Sequence, residues 1–556
     1  MTDPQTPAPV GIVGGGPVGL AAALRLASFG CPSVVLEVDA ELRKQGSKAC
    51  LIQGDVLEVL DKVGCGEQIA TEGVTWTVAR TYVRNREIRA HRYPDRPGFG
   101  PFINISQYRI EQVLLERALR EPLIEIRWGH EVIGVEQDDS EVRLRVRTAD
   151  GERTLGFDYV VACDGVRSPM RGFLDVAWTG YTHQDRFLIT DIKVKLPLSK
   201  ERHFHYDPSF NRGRQLVMHP QPDDVWRIDW QLPPDADIDA ERRTGRLDTR
   251  IRQVIGDVPY EIDWLSTYRF HQRVVERFVT GRVLFAGDAA HALPPYGSRG
   301  MNSGIQDADN LAWKLAAVVR GQAPASLLET YHDERYAAAR ENLRVTEDTI
   351  KFMVPPDRLA RWRRQAVLRM SMPFPAVRRR VNSGRMAEPF TYRDSRLVTG
   401  DATAHPVLGA FAPDGLVTAP GPQRRLRHFF GHRFVAVCFA RTAAEVEAVR
   451  AATETGLPAG LTAVVVVPAD GPAPAELGDR VTVVRDPGAL AAGYGLTTGW
   501  ALVRPDGHVA ALGAGTDLAG LAAAYRVAAE PAEALAGSAS GPVPTGSPVP
   551  SGKESR

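Results

Sequence analysis

The residues best suited to chemistry in this chain are glycines and acids that can surround a phosphate and a sugar. Gly14, Gly16 and Gly19 form a GxGxxG, with Pro17 inside it. In that spacing the first glycine makes a turn, the second lets the backbone approach a pyrophosphate, and the third lets a helix pack closely on a strand. The phosphate would then meet free N–H groups and the positive end of a helix. Glu37 stands 18 positions after Gly19, where a carboxylate can accept both hydroxyls of an adenosine ribose. An acid there favours FAD or NAD over a nucleotide with a ribose phosphate.

A second constellation decides between those two. Gly287 and Asp288 follow the apolar run 283–286, and the Asp288 carboxylate can take a hydroxyl of a ribityl chain. Residues 294–302, Pro-Pro-Tyr-Gly-Ser-Arg-Gly-Met-Asn, supply a rigid turn around Pro295 and a fresh helix start. A helix beginning at Gly300, Met301 and Asn302 would aim its N–H groups at a ring placed by 295–298. Such donors stabilise the negative charge that a flavin gains on reduction.

Substrate-contacting residues are expected from that turn and from a sheet between the two constellations. Tyr296 is the first choice, one residue after the proline that abuts the ring. His203, His205, Tyr206, Gln215, Met218 and Trp230 lie on segments that could face it. A histidine among them could relay a phenolic proton, although which one stays open.

These residues require particular elements to hold them. Residues 10–13, 20–29 and 33–36 read as strand, helix and strand, a βαβ unit that opens a parallel sheet. Helix patterns recur at 55–63 and 107–119, hairpin-like alternation fills 125–155, and 159–162 reads as another buried strand. From 175 to 269 the texture is that of an inserted, mainly antiparallel sheet. A buried strand at 283–286 leads to helices over 300–320 and 327–353. Residues 358–385 hold nine arginines and no acid, a pattern that fits a solvated helical face better than a docking site for a phosphate-bearing cosubstrate. Short β-rich runs and alanine-rich helices then form a further α/β unit. The expected layout is a tail at 1–9, a Rossmann-like FAD-binding domain at 10–174 and 276–400 (the second part with a helical region), a substrate-binding β-sheet domain at 175–275, an α/β unit at 401–536, and a disordered Gly/Ser/Pro-rich tail at 537–556.

With the motif Asp164-Gly165-Val166-Arg167-Ser168-Pro169-Met170-Arg171 between the other two, the chain resembles the class A flavoprotein aromatic hydroxylases. These are single-component FAD monooxygenases that include 4-hydroxybenzoate, phenol and 3-(3-hydroxyphenyl)propionate hydroxylases. The resemblance makes Gly14, Gly16, Gly19 and Glu37 the ADP-binding set and Asp288 the ribityl ligand. It places Gln107 against the flavin and associates Asp164 and Arg167 with both FAD and the nicotinamide nucleotide. It implies that NADH or NADPH reduces FAD, that O₂ adds as a C4a-hydroperoxide, and that a small aromatic substrate, a phenol or amino-aromatic, is hydroxylated. Where relatives have Arg-Ala, this chain has Lys48-Ala49, so a bidentate phosphate contact becomes a point charge. The α/β unit resembles the thioredoxin-like domain of phenol and hydroxyphenylpropionate hydroxylases, but with Cys438 as its sole cysteine. A biosynthetic FAD oxygenase acting on a natural product would carry the same motifs, and a catalytically silent FAD-binding protein is the remaining alternative. A flavin halogenase is disfavoured, since Trp226 and Trp230 are four apart with no Ile-Pro after them.

Composition narrows the field further. At 556 residues the chain is multidomain, and 68 basic against 67 acidic residues exclude a long electrostatic grip on nucleic acid or an acidic membrane. Five cysteines without a CxxC pair argue against a disulfide framework and a zinc site. The uncharged stretch 4–24 contains four prolines and three successive glycines, which reads as tail, strand and turn, not as a signal or membrane helix. The expectation is a cytoplasmic enzyme with no metal, for which a homo-oligomer stays open.

Overall fold

The computed structural model describes residues 10–529 apart from 43–48, 95–97, 234, 356, 382–383, 421–422, 456–457, 459, 489 and 516–517. Lys48 and the expected tails, 1–9 and 537–556, lie outside the described residues.

The strand Val10–Val13 is buried along its whole length, as a central parallel strand covered on both faces must be. It pairs in parallel with Ser33–Leu36 on one side and Val160–Ala162 on the other. Ser33–Leu36 continues to Ile124–Arg127, and Val160–Ala162 to Val283–Phe285, with Val279–Thr280 antiparallel at the edge. The register aligns Val13 with Ala162 and Ala162 with Phe285. Glycine loop, Asp164 motif and Gly287-Asp288 therefore all leave the same edge of three adjacent strands, the carboxyl edge where open α/β sheets bind ligands. Helices Pro17–Ser28 and Gly300–Val319 pack against each other beside this sheet. Of the expected hairpins at 125–155, the later part forms a three-stranded antiparallel sheet of Glu131–Gln137, Val142–Thr148 and Gly151–Phe157, whereas its first residues belong to the parallel strand Ile124–Arg127.

The inserted sheet has eight strands, in the order His291–Ala292, Glu261–Val275, Trp178–Lys193, Val225–Gln231, Gln215–Pro220, Arg202–Tyr206, Val78–Val83 and Arg86–Arg92. It is antiparallel except between Arg202–Tyr206 and Val78–Val83. It thus extends beyond 175–275, recruiting a hairpin from the first part of the chain. Two helices absent from the sequence reading, Ile238–Arg243 and Arg246–Ile255, cover one face, where Leu247, Ile251 and Ile255 pack on Leu188, Leu216, Met218 and Trp230. The opposite, inner face carries Phe187, Phe204, Tyr206 and Phe270, which pack with Tyr296 and with Ile350 and Met353 of the helix Glu329–Met353. In the arginine-rich helix Arg358–Ser371, Arg364 is buried and donates to Met353 O at 2.6 Å and Gly213 O at 2.7 Å, so it has a packing role.

The C-terminal unit holds a six-stranded mixed sheet in the order Ala475–Leu477, Val481–Asp486, Leu461–Pro468, Phe434–Phe439, Gly499–Val503 and Val509–Ala514. Helices Ala443–Thr455 and Ala519–Ala529 accompany it. It meets the unit built on the parallel sheet through a buried ionic cluster. Arg504 donates to both Glu334 oxygens at 2.5 and 2.8 Å and pairs with Asp506; Lys314 reaches Glu334 at 2.7 Å, and Asn310 donates to Glu334 and Asp506. Among the described residues no helix is long and apolar enough to cross a membrane.

Candidate active site

The three motif glycines are needed for three different reasons. Gly14 has φ +106°, and a Cβ there would lie 2.5 Å from the Cys163 carbonyl oxygen; a Cβ on Gly19 would lie 2.0 Å from the Gly14 oxygen. A Cβ on Gly16 would meet nothing within 4 Å, so that backbone faces open space. Pro17 occupies the first turn of the helix, where its missing N–H costs nothing. Glu37 closes the loop, accepting from Gly15 N at 2.6 Å and Asp39 N at 3.0 Å. Gln107 opens the helix Gln107–Ala118, accepts from Ala49 N at 3.3 Å and donates to Glu111 at 2.8 Å.

Two buried charges hold the other motifs together, and neither was singled out from the sequence as a site residue. Arg171, the last residue of the Asp164 motif, donates to Val166 O at 2.7 Å and, across the strands, to Ala289 O at 2.8 Å, and lies 3.9 Å over the Trp178 ring. Asp307 accepts from Gly287 N at 3.0 Å, His291 Nε2 at 2.6 Å and Arg335 Nε at 2.6 Å. Burial opposes its charge, yet His291 and Arg335 together hold its carboxyl below the usual range. The same helix also buries Ser303, Asp309, Asn310 and Lys314, so no apolar face set Asp307 apart in the sequence.

Several features of this edge fit FAD. Asp164 accepts from Met170 N at 3.1 Å through Oδ2, while its buried Oδ1 has no hydrogen-bond partner among the described residues, and burial raises its pKa. Arg167 is exposed. Gly287 has φ +60°, with a would-be Cβ 3.0 Å from Val18, and Asp288 is half-buried. A Cβ on Gly300 would stand 3.8 Å from Asp288 Oδ1, so the acid adjoins the N-terminal turn of Gly300–Val319. The N–H groups of Gly300, Met301 and Asn302 precede the first intrahelical donor, Ser303 N. The Asn302 side chain is committed elsewhere, to Gln53 N, Leu51 O and Ser298 O at 2.9, 3.0 and 2.7 Å, which leaves its backbone for a cofactor. Pro295 is exposed and caps the turn that accepts from Ser298 N. Glycines where a side chain would block approach, an unsatisfied carboxylate oxygen and a helix start beside an acid make a site whose residues suit a dinucleotide with a ribityl chain.

Sheet register separates the seven substrate candidates. Tyr206 pairs with Gln215, and Gln215 Nε2 donates to the Tyr296 hydroxyl at 3.1 Å. Tyr296 is buried, edge-on to Phe270 and Phe187. These three meet on the inner face. Side chains alternate along a strand, so His203, His205, Met218 and Trp230 are carried to the outer face, and their expected orientation toward the ring is corrected. His203 is used there by the Tyr82 hydroxyl at 3.1 Å and Ser199 O at 3.0 Å, and His205 stacks on Tyr82 at 4.4 Å. Burial lowers both histidine pKa values, that of His205 to about 4. Met218 and Trp230 pack beneath the two covering helices. The inner face instead presents residues that the sequence reading passed over. Val217 pairs with Asp229, His219 with Arg227, Ile189 with Asp229 and Asp191 with Arg227. Arg227 grips Asp191 through two bonds of 2.8 and 2.7 Å. Once Gln215 points inward, alternation alone assigns His219, Arg227 and Asp229 to the same side.

The FAD-binding domain family matches residues 7–346. The chain is 32% identical over 434 residues to a 3-(3-hydroxy-phenyl)propionate/3-hydroxycinnamic acid hydroxylase of Burkholderia cenocepacia (strain HI2424), covering 77% of this chain and 78% of that protein. In fold it is similar to the flavin-dependent monooxygenase PieE solved with FAD and substrate, with TM-score 0.78, 23% identity and coverage of 95% of this chain and 100% of that one. It is also similar to OxyS anhydrotetracycline hydroxylase from Streptomyces rimosus, with TM-score 0.68, 26% identity and coverage of 94% and 98%. Three motifs meeting at one sheet edge, the family match over residues 7–346 and the long similarity to a hydroxylase lead to a single assignment: this chain belongs to the FAD-binding domain family, among its FAD-dependent aromatic monooxygenases.

Proposed function

We propose that the chain hydroxylates a phenol of the 3-(3-hydroxyphenyl)propionate type at the inner face of the inserted sheet, using NADH or NADPH and O₂. The long similarity to a hydroxylase of that substrate carries this reading. Bound FAD supplies electron acceptance from the nicotinamide and activation of oxygen. In this reading Gly14, Gly16 and Gly19 admit the pyrophosphate, Glu37 orients the adenosine ribose, and Asp288 takes the ribityl chain. The N–H groups of Gly300, Met301 and Asn302 neutralise charge at the ring, and Gln107, Asp164 and Arg167 line the cofactor's path. Tyr296, held by Gln215, and Tyr206 wall the substrate cavity and exclude water, which strengthens every polar contact inside it.

A larger natural product is the second reading, favoured by the fold similarity that extends over the C-terminal unit to PieE and OxyS. Substrate-stimulated NADH and NADPH consumption, with product identification, across simple phenols and fused-ring polyketides separates the two. Stimulation by neither class would overturn both. The FAD is expected to be noncovalent, and colour that stays with the acid-precipitated protein contradicts that.

The C-terminal unit is thioredoxin-like in this reading. Supporting it, Phe434–Phe439 and Leu461–Pro468 are parallel and joined by a helix, and antiparallel Gly499–Val503 and Val509–Ala514 lead to a second. Burial pushes its one thiol, Cys438, up to about 12, so its role is packing and not electron transfer. Buried, unpaired thiols such as this one suit a reducing cytoplasm.

A further inference from the structure

The inner face of the inserted sheet holds one acid that scaffold contacts do not explain. Asp191 is gripped by Arg227, but Asp229, two residues along the same strand and on the same face, is not. Its Oδ1 is buried and has no hydrogen-bond partner among the described residues, although the residue as a whole is only partly covered. It stands between Ile189 and Val217 on the neighbouring strands, on the face that also presents Gln215 and, through it, Tyr296. A buried carboxylate oxygen left unsatisfied on that face costs stability unless a ligand completes it.

We propose that Asp229 is the group that receives the hydrogen bond, and then the proton, of the substrate's phenolic hydroxyl. The inference rests on the phenol hydroxylase reading above and names the proton acceptor within it. In the step, the phenolic O–H bond breaks and an O–H bond forms on the Asp229 carboxylate. The electron pair stays on the phenol oxygen, which raises electron density at the ring carbons ortho and para to it. No oxidant or reductant enters this step. The surroundings suit the role. Burial, helped by Asp191, outweighs the pull of Arg227 and Arg202 and raises the Asp229 carboxyl to about 7, close to where a general base works best at neutral pH. His219, on the same face of the sheet, is held neutral by burial and by Arg202 and Arg227, and Tyr268 is held protonated chiefly by burial. Neither competes for the proton near neutrality.

The test uses the FAD-loaded full chain and two probes, 3-(3-hydroxyphenyl)propionate and its 3-methoxy analogue, which lacks the proton. Dissociation constants are read from the perturbation of the flavin spectrum. Wild type should bind the hydroxy compound about tenfold more tightly than the methoxy compound, and that preference should grow as the pH rises through about 7. Asp229→Asn should lose the preference and its pH dependence, and lower kcat/KM by about 100-fold or more. Asp229→Glu should restore part of both. An Asn variant that keeps FAD, the binding preference and the pH profile overturns the inference while leaving the hydroxylase reading intact. Should that variant fail to hold FAD, a wild-type preference that is flat with pH overturns it equally. A wild-type protein that binds neither compound and oxidises no phenol overturns the underlying reading instead.

Discussion

The cofactor edge and the inner face of the substrate sheet both bury polar side chains, but they complete them differently. At the cofactor edge Asp307 accepts from Gly287, His291 and Arg335, Arg171 is spread over carbonyl oxygens of two motifs, and Asn302 bonds three backbone groups. On the inner face Gln215 Oε1, His219 Nδ1 and Asp229 Oδ1 are buried without partners among the described residues. Each such atom costs about 1–3 kcal/mol when left dry. The first region is therefore mostly a frame that stands by itself, with Asp164 Oδ1 and His291 Nδ1 as its buried atoms lacking partners among the described residues. The second is a surface whose hydrogen bonding is finished by what enters it.

The comparison breaks most visibly at Asp307. Asp307→Ala strips the acceptor from the buried Arg335 guanidinium, from His291 Nε2 and from Gly287 N, which should cost about 3–5 kcal/mol and lose FAD together with thermal stability. Because the folded carboxyl titrates below its ordinary value, its contribution is complete above about pH 4 and disappears as the pH falls through the lower, folded value. A variant that melts like wild type and keeps its flavin would show that this network does not hold the Gly287 turn. Asp288→Ala should leave the fold unchanged and weaken FAD by about tenfold or more, the worth of a charge-assisted hydrogen bond of about 1.5–3 kcal/mol. Unchanged flavin occupancy after dialysis contradicts that assignment.

The two faces of the sheet offer a sharper contrast. Gln215→Leu releases the Tyr296 hydroxyl, worth about 0.5–1.5 kcal/mol, and should raise KM several-fold, whereas His205→Phe should leave kcat/KM within about twofold because its ring faces outward. The reverse ranking would mean that the register is wrong. Stability gives a further contrast. The raised pKa of Asp229 means that the unfolded chain ionises first, so folding loses stability as the pH climbs from about 4 to about 7. Asp229→Asn should accordingly raise Tm at pH 8 relative to wild type and not at pH 3.5. The smallest expected effect is that of Cys438→Ser, with turnover nearly intact; loss of coupled hydroxylation in a folded, flavin-loaded variant would reopen thiol chemistry.

What could be read from the sequence follows the range over which each feature is encoded. The glycine loop, the Asp164 motif and Gly287-Asp288 were legible because strand, turn and ligand are contiguous. The helix starts at Gly300 and Gln107 agree for the same reason. Sheet faces were not legible, since a shift of one residue exchanges every side chain between them. Trp230 was chosen and its neighbour Asp229 missed on that account, and His205 was grouped with Tyr206 although they point apart. The tie between Gln215 and Tyr296 crosses 81 residues, and nothing local announces it. The helices Ile238–Arg243 and Arg246–Ile255 did leave signals, an Asp237 side chain that accepts from Ala240 N and Gly256 with φ +80° at the second helix's end, hidden inside a stretch that otherwise reads as strands.

The buried cluster of Arg504, Glu334, Asp506 and Lys314 has a consequence for anyone recombining parts of such enzymes. Glu334 lies on the helix whose next residue, Arg335, reaches Asp307 and, through it, the turn at Gly287. A chimera that exchanges the C-terminal unit without a matching Arg504 and Asp506 would strip Glu334 of its bidentate guanidinium and leave it in a dry interior with Lys314, Asn310 and Ser395. The natural crossover point is therefore set by electrostatics, with both halves of the cluster transferred together or neither.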